Sequence, residues 1–86
     1  MNINELIAIV KNKLETEIVI QDLKIEDKSF LHKNHKGHQE GKFHLKLIIT
    51  SDALAKTSKI TSTKRIYSVL GLELKEHIHS IQILLN

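Results

Sequence analysis

The sequence predicts an α+β domain in which a three-stranded sheet is covered on one face by helices. Three observations carry this. Apolar residues recur at helical spacing near the N-terminus, change to strand-like spacing in the next two segments, and become helical again before a last strand-like segment. A strand with one apolar face must bury it, and the helices are the surfaces available to cover it. The 86 residues leave room for one domain, residues 1–86, with a thin core.

The first helix is predicted over residues 3–15, where Ile3, Leu6, Ile7, Val10 and Leu14 form one stripe. Asn2, three residues before Glu5, has the form of a capping box. From Ile18 the spacing becomes that of a strand. Ile18, Val19 and Ile20 are β-branched, and Leu23 and Ile25 then alternate with Lys24 and Glu26, giving a strand over 18–27. Residues 28–42 are polar and contain Gly37 and Gly41, which predicts a loop, mobile over 30–41 without a partner. Phe43, Leu45, Leu47 and Ile49 alternate with His44, Lys46, Ile48 and Thr50 in a second strand, so the first pair forms an antiparallel hairpin with a long connection.

Ser51 and Asp52 can cap a short turn ending at Ala55. Thr57 or Ser58 can cap a helix near 58–70, in which Ile60, Thr63, Ile66, Tyr67 and Leu70 share a face. Gly71 is placed to stop that helix, and 72–76 can add a turn. The last strand, 78–85, carries Ile81, Ile83 and Leu85 on one face. The element order is therefore α-β-β-α-α-β.

The net charge is +3, so an acidic partner is permitted and not demanded. The chain has no cysteine, which removes disulfides, thiolate zinc sites and a cysteine nucleophile. No apolar run approaches the ~20 residues that span a bilayer, and the N-terminal stripe is broken by Asn4, Glu5, Lys11 and Lys13. The expectation is a cytoplasmic protein with no membrane association. Neither a P-loop nor a dinucleotide-binding glycine fingerprint is present, and no nucleophile–base set has recognisable context, so an enzyme is not expected.

Histidine placement is the most informative feature. His32, His35 and His38 recur at intervals of three in the long loop, and neutral imidazole is the commonest protein metal ligand. Two of them on one ion would make a metal site, and a solvated loop with incidental histidines is the simpler reading. Period-2 geometry puts His79 on the face of Ile81 and Ile83, where an imidazole usually satisfies a backbone group. His44 and His77 read as surface residues. The basic helix offers Lys59, Lys64 and Arg65 to phosphates. The element order matches the class II KH topology, yet no G-x-x-G clamp follows the first helix of the helical pair, and only three aromatic residues, Phe30, Phe43 and Tyr67, are available for stacking.

Six short stretches resemble the BolA-like family in the correct order, covering about Ile3 to Leu85. Asp27-Lys28-Ser29 is similar to the family's D-E-S, with Lys28 replacing the acidic residue. His32-Lys33-Asn34-His35 resembles its H-x-G-H loop, with Asn34 for glycine. His44-Leu45 resembles H-F, Ile48-Ile49-Thr50-Ser51 resembles I-V-S, Ile66-Tyr67 ahead of Leu70 resembles V-Y-x-x-L, and Ile78-His79-Ser80-Ile81 resembles I-H-A-L. Ser62-Thr63-Lys64 departs from the common R-H-R.

The resemblance implies a class II KH-like fold with a three-stranded mixed sheet. It also implies an adaptor, monomeric when alone, that pairs with a monothiol glutaredoxin and shares a 2Fe-2S cluster, with none bound when isolated. Partner and glutathione would supply thiolates, and this chain His79 together with His32, or His35 as the nearest substitute. Imidazole in place of thiolate lowers the cluster's negative charge and raises its potential, as in Rieske centres. The family's second implied function is transcriptional regulation through DNA, linked to morphology and stress, here through the basic helix 58–70.

Overall fold

The computed structural model describes residues 1–29 and 42–86. The chain runs α1 (Ile3–Glu17), β1 (Asp22–Asp27), β2 (Phe43–Thr50), α2 (Asp52–Ala55), α3 (Lys59–Val69), α4 (Gly71–Glu76) and β3 (Ile78–Leu85). The sheet order is β1-β2-β3, with β2 antiparallel to β1 and parallel to β3. Parallel pairing requires a crossover, and α2, α3 and α4 supply it. The predicted α+β class and mixed three-stranded sheet are therefore observed.

Local chemistry fixes most boundaries. Asn2 caps α1 by accepting the Glu5 N–H at 2.8 Å, while its side-chain amide donates to the Glu5 carboxylate at 2.9 Å. The reciprocal bond of a capping box thus runs side chain to side chain. Ser51 caps α2, accepting the Leu54 N–H at 3.2 Å and donating to the Val19 carbonyl at 2.7 Å. Ser58 caps α3 by accepting the Thr61 N–H at 3.1 Å.

Among the described residues the core forms one cluster. Leu6, Val10 and Leu14 of α1 pack with Leu45, Leu47 and Ile49 of β2, joined by Ile66, Leu70, Leu54, Ile18 and Ile78. This is the helical stripe and the β2 alternation expected from sequence, and it puts the helices on one face of the sheet.

Three local expectations are corrected. Ile18–Ile20 is not strand: the Ile18 N–H closes α1 on the Leu14 carbonyl at 2.9 Å, and pairing with β2 starts only where the Gln21 N–H reaches the Thr50 carbonyl at 2.9 Å. Gly71 opens α4, and Leu70 serves as the C-cap of α3. The buried face of α3 is Ser62, Ile66 and Leu70 with half-buried Val69, leaving Ile60 and Tyr67 exposed. Ser62 decides this rotation. Its buried hydroxyl reaches the Leu54 carbonyl at 3.1 Å and Thr57 Oγ1 at 2.6 Å, so a polar residue can occupy the inner face with its bonds satisfied.

Two charged contacts tie α1 to the crossover. Lys13 Nζ donates to both carboxylate oxygens of Glu73 in α4, at 2.9 and 2.7 Å, and the Glu73 side chain is only 5% exposed against 37% for Lys13. Arg65 of α3 donates through Nη2 to the Glu17 carbonyl at 2.8 Å. It puts a cation at the C-terminal end of α1, whose own last turn has none.

Lys13→Ala strands a buried carboxylate and should lower the unfolding free energy by about 2 kcal/mol, less than for a fully buried pair because Lys13 is partly solvated. The double change Lys13→Met with Glu73→Leu should recover most of that loss, and urea denaturation of the three variants checks it. Arg65→Ala should cost about 0.5–1 kcal/mol in the same assay. Lys59→Ala and Lys64→Ala should stay within about 0.5 kcal/mol of the parent.

Candidate functional site

Among the described residues, the candidate ligand His79 lies where β3 begins. Phe43 is opposite Ile78, but the next residue of β2, His44, is opposite Ser80. His79 is therefore the extra residue of a bulge. Ile78, before it, faces the core at 3% exposure, and Ile81, Ile83 and Leu85, after it, pack against the same core. His79 itself is exposed. This corrects the expectation that His79 shares the face of Ile81 and Ile83. Simple alternation assumes an unbroken ladder, and one inserted residue resets the parity.

His44 is the second correction. It was expected at the surface and is 5% exposed. Its neighbour Leu45 faces the core, so its ring lies on the opposite side of the sheet, where Ser80 is its cross-strand partner. Nδ1 lies 2.6 Å from Ser80 Oγ. The His44 main chain is held as well: its N–H donates to Ser29 Oγ at 3.1 Å and its carbonyl accepts the Lys28 N–H at 2.7 Å. A buried imidazole requires such partners. The His44 and His79 rings touch, with centroids 4.9 Å apart and planes inclined by 47°. Sequence reasoning missed Ser29 and Ser80 as partners because only the cross-strand register reveals them. The one signal for His44 was its match to the family's H-F pair. His77 is half-buried and forms the C-cap of α4.

The loop candidates His32, His35 and His38 lie outside the described residues, as does the expected mobility of 30–41. The chain on either side of that segment is well anchored. The Ser29 N–H bonds Asp27 Oδ1 at 2.9 Å, and the Phe43 N–H bonds the His77 carbonyl at 2.9 Å. Both ends of the segment thus start beside His44 and the first residues of β3. His32 is three residues beyond Ser29, a reach of up to about 10 Å.

Among the described residues no group of three or more His, Cys, Asp or Glu side chains could hold a metal ion. A four-coordinate metal at His79 would therefore take at least two of its ligands from outside them. An exposed imidazole on a strand end is a donor suited to that sharing.

The basic helix presents a different surface. Lys59 and Lys64 are exposed and line, with Ile60, Thr63 and Tyr67, an open groove of about 310 Å³. Arg65 is turned to the α1 carbonyl, so the three cations do not form one phosphate-facing stripe. Among the described residues no helix is long and apolar enough to cross a membrane.

Sequence and fold are both similar to those of known proteins. The family model described as BolA-like protein matches residues 14–86. The chain is 33% identical over 79 residues to SufE-like protein 1, chloroplastic/mitochondrial, of Arabidopsis thaliana, covering 86% of this chain and 21% of that protein. It is 31% identical over 75 residues to the DNA-binding transcriptional regulator BolA of Haemophilus influenzae, covering 87% of this chain and 70% of that one. The chain thus spans about a fifth of the plant relative and over two thirds of the bacterial one. Among solved structures, the BolA domain of SufE1 from Arabidopsis thaliana superposes with a TM-score of 0.77 at 30% identity, over 100% of this chain and 93% of that one. With its fold and most of its length accounted for in this way, the chain belongs to the BolA-like family.

Proposed function

We propose that this protein is a cytoplasmic, non-enzymatic adaptor that binds a monothiol glutaredoxin and holds a 2Fe-2S cluster jointly with it, in cluster assembly, trafficking or iron sensing. The observation that carries this reading is His79, an exposed imidazole set on a bulge beside both anchored ends of the 30–41 segment. In this reading His79 is the fixed ligand, and His32 or His35 is the second. The partner's thiol chemistry completes the set, which suits a chain with no cysteine of its own. The cluster supplies one-electron and iron-transfer chemistry. This chain contributes imidazole nitrogens, one of them on a strand end. The presence of a BolA domain within SufE1 supports a role exercised alongside other proteins.

Mixing the protein with a monothiol glutaredoxin, glutathione, iron and sulfide should yield a heterodimer with a cluster spectrum in visible absorption and circular dichroism. His79→Ala should abolish that spectrum. His32→Ala should be partly rescued by His35 or His38, and the double change of His32 and His35 should cost more than either alone. Because protonated imidazole cannot ligate, acidification should also weaken the complex. An unchanged spectrum in His79→Ala would overturn the assignment.

A second reading, a DNA-binding regulator, is favoured by the exposed Lys59 and Lys64 beside the Tyr67 groove and by the name of the Haemophilus influenzae relative. Binding of this kind should be weak and salt-dependent. Replacing Lys59 and Lys64 by alanine should weaken it uniformly across sequences and reduce the slope of log K against log salt by about one per lysine. Titration of a labelled duplex at two salt concentrations decides it, and tight binding insensitive to these changes would exclude α3 as the contact.

A further inference from the structure

We propose that His44 and Ser80 are positioning residues that set the orientation of the His79 ring. The proposal rests on the adaptor reading, in which His79 is a ligand. His44 is a buried polar side chain that the adaptor reading does not otherwise use. It lies on the sheet face opposite the hydrophobic core, so burial of apolar side chains does not account for it.

Among the described residues, Ser29, Lys28 and Ser80 hold it in place. Ser29 and Lys28 fix its main chain at 3.1 and 2.7 Å. Ser80, opposite it across the ladder, fixes Nδ1 at 2.6 Å. Its ring is in turn the surface on which the His79 ring rests, 4.9 Å centroid to centroid. The bulge makes this contact possible. It pushes His79 out of the alternation and beside a ring that belongs to the other side of the sheet.

An exposed histidine on a strand end would ordinarily exchange among staggered χ1 rotamers. A fixed ring against one side removes part of that freedom before any ligand arrives. Groups behind a metal ligand commonly change metal affinity by about 10–100-fold when removed. Ser80 acts here through His44, which acts through ring contact with His79.

Ser80 is exposed, so it can be changed with little effect on the core. Three variants test the chain of contacts: Ser80→Ala, Ser80→Thr, which keeps a hydroxyl, and His79→Ala. In the free protein, χ1 couplings and ring-to-ring nuclear Overhauser effects report the His79 orientation. In the heterodimer reconstituted with a monothiol glutaredoxin and glutathione, loss of visible absorption to an iron chelator reports the ligand's hold. Ser80→Ala should average the His79 rotamers, weaken the contacts to His44, and speed cluster loss on the order of 10-fold. Ser80→Thr should restore both. A residue acting only in stability would move neither the rotamer couplings nor their rescue by threonine. If Ser80→Ala leaves the couplings and the rate at parent values while His79→Ala abolishes the spectrum, positioning is wrong and the adaptor reading stands. If His79→Ala leaves the spectrum unchanged, the adaptor reading falls and the positioning role falls with it.

Discussion

The one-residue register shift between β2 and β3 is the constraint on which the rest of this molecule depends. Ile78 and Ile81 are three positions apart, an odd offset, yet both pack against the core on one side of the sheet. An unbroken ladder would turn one of them outward, together with every residue in phase with it. Inserting His79 at the start of the strand reconciles the two sets. The same insertion turns the His79 side chain away from the core and against the His44 ring. A packing requirement on the apolar side therefore creates, at the same residue, an exposed and oriented polar group.

Around that strand the chain is small, and its core is one layer of side chains between sheet and helices. Such a core leaves helix placement dependent on few contacts. The crossover compensates with polar ties at its ends. Ser51 bonds back to the Val19 carbonyl, Glu73 takes both its bonds from Lys13, and Arg65 takes the carbonyl of Glu17. Each joins residues far apart in sequence, so each restricts how α1 and the crossover slide over one another. The buried hydroxyl of Ser62 has the same effect within the crossover, fixing α3 against the Leu54 turn.

Membership of the BolA-like family gives these features a context without assigning them individually. The segment Ser62-Thr63-Lys64 shows why residue-level reading still matters. Where the family commonly has R-H-R, this chain turns Ser62 inward and leaves Lys64 exposed. The exposed surface of α3 is consequently part apolar, through Ile60 and Tyr67, and part cationic, through Lys59 and Lys64. The end of the sheet near His79 has another character, with two imidazoles in contact and serine hydroxyls fixing one of them.

By itself the sequence determined the elements whose cause is local. The stripe of Leu6, Val10 and Leu14, the alternation of Leu45, Leu47 and Ile49, and the cap at Asn2 all act within a few residues of chain and are found where the pattern placed them, while of the alternatives Ser51 or Asp52 and Thr57 or Ser58 the fold uses Ser51 and Ser58. Order and spacing of the six family-like stretches were legible for the same reason. Tertiary structure decided whatever depends on a partner across the fold. The partner of the His44 ring is Ser80, 36 residues away. The rotation of α3 depends on a carbonyl in the preceding turn, which accepts from Ser62 and leaves Ile60 outside. The exposure of His79 depends on the register of a parallel ladder. Parity along one strand carries no information about where its neighbour inserts a residue, because that insertion is fixed by which apolar side chains the two strands must bury together.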